Sequence, residues 1–237
     1  MLLLIKPTPL PFFFMTPLIN LVLLLIKWPV ALLCALALPA AALTLIWLLL
    51  TAYKEPGTTA SFLIGVGIYW VLDKLIFGRR DVGSWFSTFE HEITHAIFAW
   101  ATLHRVIGLH VTAHNGGHIR YVGGGNWLIS VSPYWFPTLC VPIILYASVF
   151  SDPHPVWAIA LGLTFMFHHL STWRETHAGQ TDLQETGLLF AWMFLPTANL
   201  VAGGIVIAFA SGNTALVVQF FIQLKLNIGD TFSLLSF

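Results

Sequence analysis

Charge is what this sequence has least of. Ten Lys and Arg with ten Asp and Glu make up 8% of 237 residues, where a soluble globular chain carries about 25%. An ordinary water-soluble domain is thereby excluded. The formal net charge is zero and there is no basic run, so nucleic acid is excluded as a partner. There are two cysteines, Cys34 and Cys140, both in apolar runs. They make no disulfide framework and read as small buried hydrophobes. Internal repeats and low-complexity linkers are also missing. The start does not read as a cleaved signal peptide, because Lys6 follows the apolar opening and Pro7, Pro9, Pro11 and Pro17 interrupt what comes next.

What remains is 57% hydrophobic, with several runs approaching the roughly 20 apolar residues that span a bilayer. The sequence therefore reads as an all-α polytopic membrane protein embedded in a lipid bilayer. It forms one domain over 1–237, with N-terminal spans in 1–80, a core over 84–210 and an apolar segment at 211–237. About six transmembrane helices are expected. These are a proline-broken segment from Leu10 to Ile26, then Pro29–Tyr53, Ser61–Phe77, Tyr134–Phe150, Val156–Leu170 and Gly187–Ala210. Phe220–Phe237 is expected in the interface or as a partial span. Asp73 and Lys74, near a span end, read as snorkelling at the interface. Lys27, Lys74 and Arg79-Arg80 place the loop before the next helix on the cytoplasmic side.

Against this apolar background stands His91-Glu92-Ile93-Thr94-His95. On a helix over Ser84–Leu103, His91 and His95 are four apart and share a face, so both imidazoles reach one metal ion. Glu92 points about a quarter-turn away, within reach of a metal-activated water. Ser84, Thr88, His91, His95 and Thr102, together with Phe98, form a stripe that faces protein or water rather than lipid. Val106–Val122 differs in kind. β-Branched residues, alternation and the turn signal Asn115-Gly116 predict a small β-hairpin, with strands near Ile107–Ala113 and Gly117–Val122. It precedes Gly123-Gly124-Gly125 and lies between the motif helix and the following span.

A catalytic zinc takes three protein ligands and one water. Asp182, in Thr181-Asp182-Leu183 at the mouth of a late span, is the best third ligand, with Glu175 and Glu185 as competitors that spacing does not exclude. One Zn²⁺ with ionised Asp182 and Glu92 sums to zero charge. That matters at membrane depth, where an uncompensated carboxylate costs about 2.5–3.5 kcal/mol. Glu92 is then placed to take the proton of the attacking water and deliver it to the leaving amine. His168, His169, Arg174 and His177 are candidate oxyanion donors or partners that orient the ligands.

At these residues the chain resembles the site-2-protease type of intramembrane zinc metallopeptidase, the M50 family, in its compact form without a PDZ domain. The resemblance rests on His91-Glu92-x-x-His95, the glycine-rich hairpin and the Thr-Asp-Leu stretch, and covers roughly Ser84 to Ala210. It implies that His91, His95 and Asp182 bind zinc and that Glu92 is the base. It further implies that a transmembrane protein is the substrate, held as an added strand along the hairpin, in the bacterial inner membrane. His110, Thr112, His114, Asn115 and His118 are the hairpin residues this would involve. The sequence departs from the family in setting its aspartate in Gln180-Thr181-Asp182-Leu183 rather than in an Asn-Pro-x-x-Asp-Gly-like context.

All ten histidines fall between His91 and His177. The competing readings are a zinc-stabilised membrane protein that acts only through partners, and a di-iron membrane oxidase. The latter needs several histidine boxes, and only His91/His95 and His168-His169 come near one. His104 and His154, at span ends, read as interfacial.

Overall fold

The computed structural model describes residues 15–54, 56–77, 82–112, 116–150 and 155–235. In chain order these are α1 (Thr16–Ala52), α2 (Pro56–Leu72) with a π-helical turn over Asp73–Phe77, α3 (Val82–Ala101), β1 (Val106–Val111), β2 (Gly117–Tyr121), α4 (Trp127–Val131), α5 (Cys140–Phe150), α6 (Pro155–Glu175), α7 (Thr181–Thr186) and α8 (Leu188–Leu235).

Among the described residues, three helices are long and apolar enough to cross a membrane: Thr16–Ala52, Gly57–Ile76 and Leu188–Ser233. They support an integral membrane protein and correct the expectation of about six spans. The excess came from counting apolar runs as helices. Residues 16–26 of the proline-broken segment and 29–52 of the next belong to one 37-residue helix that runs through Pro29 and Pro39, while residues 10–14 lie outside the described residues. The run from Tyr134 is consumed by a 3₁₀ turn and a loop through Pro137, leaving α5 only 11 residues, about 16 Å. α6 ends in His168, His169, Arg174 and Glu175, which dilute its apolar character. Residues 220–235 lie in the second limb of α8. That helix breaks at Gly212 and Asn213, where the backbone leaves helical angles, and folds back so that the Phe220 ring lies against Gly204.

α1 and α8 form one wall. Thr197 donates to the Cys34 carbonyl at 2.7 Å, Asn227 donates to Thr44 Oγ1 at 2.9 Å, and Leu48 packs with Ala208 and Phe220. α2 and α6 meet at glycines. A Cβ on Gly65 would lie 2.1 Å from the Ile159 carbonyl oxygen, and one on Gly162 the same distance from that of Phe62. Such close contact of small residues is how membrane helices gain packing without a hydrophobic drive. Gly162→Ala is therefore expected to cost about 1–3 kcal/mol or more and to lower the thermal unfolding midpoint in detergent. Gly67→Ala, where a Cβ meets nothing within 4 Å, serves as the control.

Asp73 does not snorkel. The π-helical turn leaves it fully buried, accepting a hydrogen bond from Arg174 of α6, while Lys74 stays exposed. Both cysteines are free, with Cys140 fully buried. β1 and β2 pair antiparallel with Leu109 opposite Ile119, His110 opposite His118 and Val111 opposite Gly117, as the alternation predicts. His114, Asn115, His154 and Arg79-Arg80 lie outside the described residues.

His104 is a strut rather than an interfacial residue. It is fully buried and its Nε2 donates to the Gly124 carbonyl at 2.8 Å. Asn20 of α1 donates to the same carbonyl at 2.7 Å and accepts from Asn126 at 2.9 Å. Asn126 in turn caps α4 by accepting from the Ile129 N–H. These bonds tie the glycine break to α1 and to the start of α4.

Candidate metal centre

The polar side chains of α3 meet several elements: α6, α7, α4 and the hairpin. His91 and His95 turn toward α7, where Asp182 occupies the first turn. Asp182 Oδ2 is 3.3 Å from His91 Nε2 and 3.4 Å from His95 Nε2. One ligand atom from each of the three side chains falls within 4.8 Å of the others. Among the described residues no other group of three or more His, Cys, Asp and Glu does so.

Both imidazoles are held by their outer nitrogens. His95 Nδ1 donates to the Ile129 carbonyl of α4 at 2.8 Å, and His91 Nδ1 donates to Glu175 Oε2 of α6 at 2.8 Å. Ser87, one turn before His91, donates to the other oxygen of Glu175. A proton fixed on Nδ1 leaves the Nε2 lone pair of a neutral ring facing inward. Two such lone pairs and a carboxylate oxygen aimed at one point make a donor set that fits a divalent cation. Tyr134, fully buried, donates to Asp182 Oδ2 at 3.2 Å and packs edge-on against His91.

The electrostatics agree. Burial opposes ionisation of Asp182, but hydrogen bonds from His91 and His95 hold its carboxyl well below the usual range. Burial pushes the His91 pKa down, yet its bonds to Asp182 and Glu175 win and raise it to about 10. Metal uptake would displace that proton. Burial raises the Glu92 carboxyl, partly opposed by His95 and His91.

Glu92 and Thr88 face the hairpin. A Cβ on Gly117 would sit 2.5 Å from Glu92 Cγ and 2.9 Å from Thr88 Cγ2, so β2 lies directly on the motif helix because residue 117 has no side chain. Between β2, α4 and α7 opens a cavity of about 510 Å³ whose wall includes His91, Glu92, His95, Ser130, Glu175 and Asp182. A second cavity of about 440 Å³ shares Tyr121, Ser130 and Glu185 with it and runs toward Asn20 and Lys27 of α1. α7 stops at Gly187, whose φ of 95° favours glycine. That stop lets α8 leave in a new direction and keeps Asp182 at the cavity.

The other expected residues fall as follows. Glu175 meets the outer nitrogen of His91, and Glu185 is exposed on the cavity wall. His168 is buried against Glu90, His169 packs on Phe165, Arg174 pairs with Asp73, and His177 is exposed. None of these four lines the cavity. Sequence reasoning missed Ser87, Glu90, Tyr134 and the Ile129 carbonyl. Ser87 had a signal, since it is four residues before His91 on the same helical face. The others answer partners more than 30 residues away.

If Glu175 orients His91, Glu175→Gln keeps the shape but weakens the acceptor. Zinc affinity is expected to fall about 10–100-fold, measured by competition with a chromophoric chelator. The class defined by fold and site is thus a membrane-helix protein with a buried His/His/Asp cluster able to coordinate a divalent metal. No family model, no curated protein and no solved structure matches the chain.

Proposed function

We propose that this chain is a zinc-dependent endopeptidase of the membrane, similar in its centre to the site-2-protease group. It cuts a peptide bond within or beside a transmembrane segment of another membrane protein, in the bacterial inner membrane. The observation that carries this reading is the convergence of His91 Nε2, His95 Nε2 and Asp182 Oδ2 beside Glu92 on one cavity wall. His91, His95 and Asp182 fit one Zn²⁺, which supplies Lewis acidity to a carbonyl and makes a water easier to deprotonate.

Glu92 is the general base. It takes the proton of the attacking water and passes it to the departing amine. Among the described residues β2 pairs only with β1, and β2 borders the cavity. An unwound substrate segment would add to that edge as a further strand, with Thr112, His118 and the rest of the hairpin as its platform. The test compares cleavage of a transmembrane substrate by the wild type and by Glu92→Gln, with zinc content measured in both. Equal rates would remove Glu92 from the role of base.

A further inference from the structure

The hairpin carries two side chains that the centre does not use. His110 on β1 and His118 on β2 stand directly opposite each other in the antiparallel register, so both rings leave the same face. Both are exposed. Their centroids are 5.3 Å apart with planes tilted by 37°. Two imidazoles that share one tetrahedral ion at about 2.0–2.1 Å have centroids roughly 5.2 Å apart. The pair therefore already has the spacing that a shared ion imposes. Its backbone is also fixed, because Gly117, next to His118, is seated on Glu92 and Thr88. His118 itself belongs to the cavity wall.

We propose that His110 and His118 form a second site, for a divalent transition-metal ion that favours imidazole (Zn²⁺, Cu²⁺ or Ni²⁺), at the rim of the cavity, with water completing the coordination. This pair brings no carboxylate. The Arg120 side chain lies on the same face over Gly108, its Nε 3.3 Å from where a Cβ would stand. The site is accordingly weaker than the His91/His95/Asp182 centre. On the endopeptidase reading above, an ion at the rim obstructs the strand edge and acts as a brake on substrate entry at high metal concentration.

The experiment is a calorimetric titration of the full-length protein in detergent with Zn²⁺ alone. The wild type is expected to bind one ion tightly and one more weakly. His110→Ala and His118→Ala each weaken the second class by about tenfold or more and leave the first unchanged. The His91→Ala/His95→Ala variant loses the first class and keeps the second. Arg120→Gln strengthens the second. A single class in the wild type, or a weaker class untouched in the His110→Ala/His118→Ala variant, overturns the proposal. The brake is read separately as inhibition of cleavage by excess zinc, each protein compared with its own rate at one equivalent of zinc, and relieved in that double variant. Inhibition equal in both proteins overturns the brake, and an absence of peptidase activity leaves the binding result intact.

Discussion

On the proposed endopeptidase reading, Glu92→Gln is expected to lower the rate of peptide hydrolysis by about 10²–10⁴-fold, the usual contribution of a positioned proton-transfer group. The substitution is nearly isosteric, so the contact between Glu92 Cγ and the backbone at Gly117 survives, and with it the seating of β2. His91, His95 and Asp182 keep their partners in Ile129, Glu175 and Tyr134, so zinc content should stay near one ion per chain. What is lost is the ability to accept a proton. A single-turnover assay on a transmembrane peptide, with metal measured on the same sample, separates the two. If the rate falls only in step with the zinc, Glu92 supports the metal and the base lies elsewhere.

Asp182→Ala carries the second large effect. It removes the ligand from α7 and leaves the Tyr134 hydroxyl without its acceptor. Zinc affinity is expected to drop by more than about 100-fold, beyond the 10–100-fold cost of disturbing a group that only orients a ligand. Glu175→Gln belongs to that milder class, and Glu185→Gln is expected to change affinity little. The order of the three, measured by one competition assay, decides the third ligand. If Asp182→Ala binds zinc as the wild type does while Glu185→Gln does not, the ligand assignment moves to Glu185.

The two histidines and the hairpin were legible in the sequence because local periodicity encodes them. His91 and His95 stand one helical turn apart, and alternation up to Asn115-Gly116 marks paired strands. Asp182 was the best choice from its place at the mouth of a late span and its charge balance with Glu92, but spacing did not exclude Glu175 or Glu185. Only the fold separates them, by bringing α6 to the outer nitrogen of His91 and α7 to the inner one. Span number was not legible. Apolarity marks what avoids water, and says nothing of whether a run is one helix, as across Pro29, or is broken into turn and stub, as after Tyr134. Nor does local sequence reveal a partner about a hundred residues away, so Asp73 gave no sign that Arg174 would neutralise it.

The ligands of the cluster lie on segments 91 residues apart, at His91 and Asp182. Closing a flexible loop of that length costs roughly 4 kcal/mol in chain entropy. An ion bound by both ends would therefore act as a clasp. It ties α3 to α7 around the hairpin, α4, α5 and α6, so once the ligands have met, the ion holds that loop shut against unfolding.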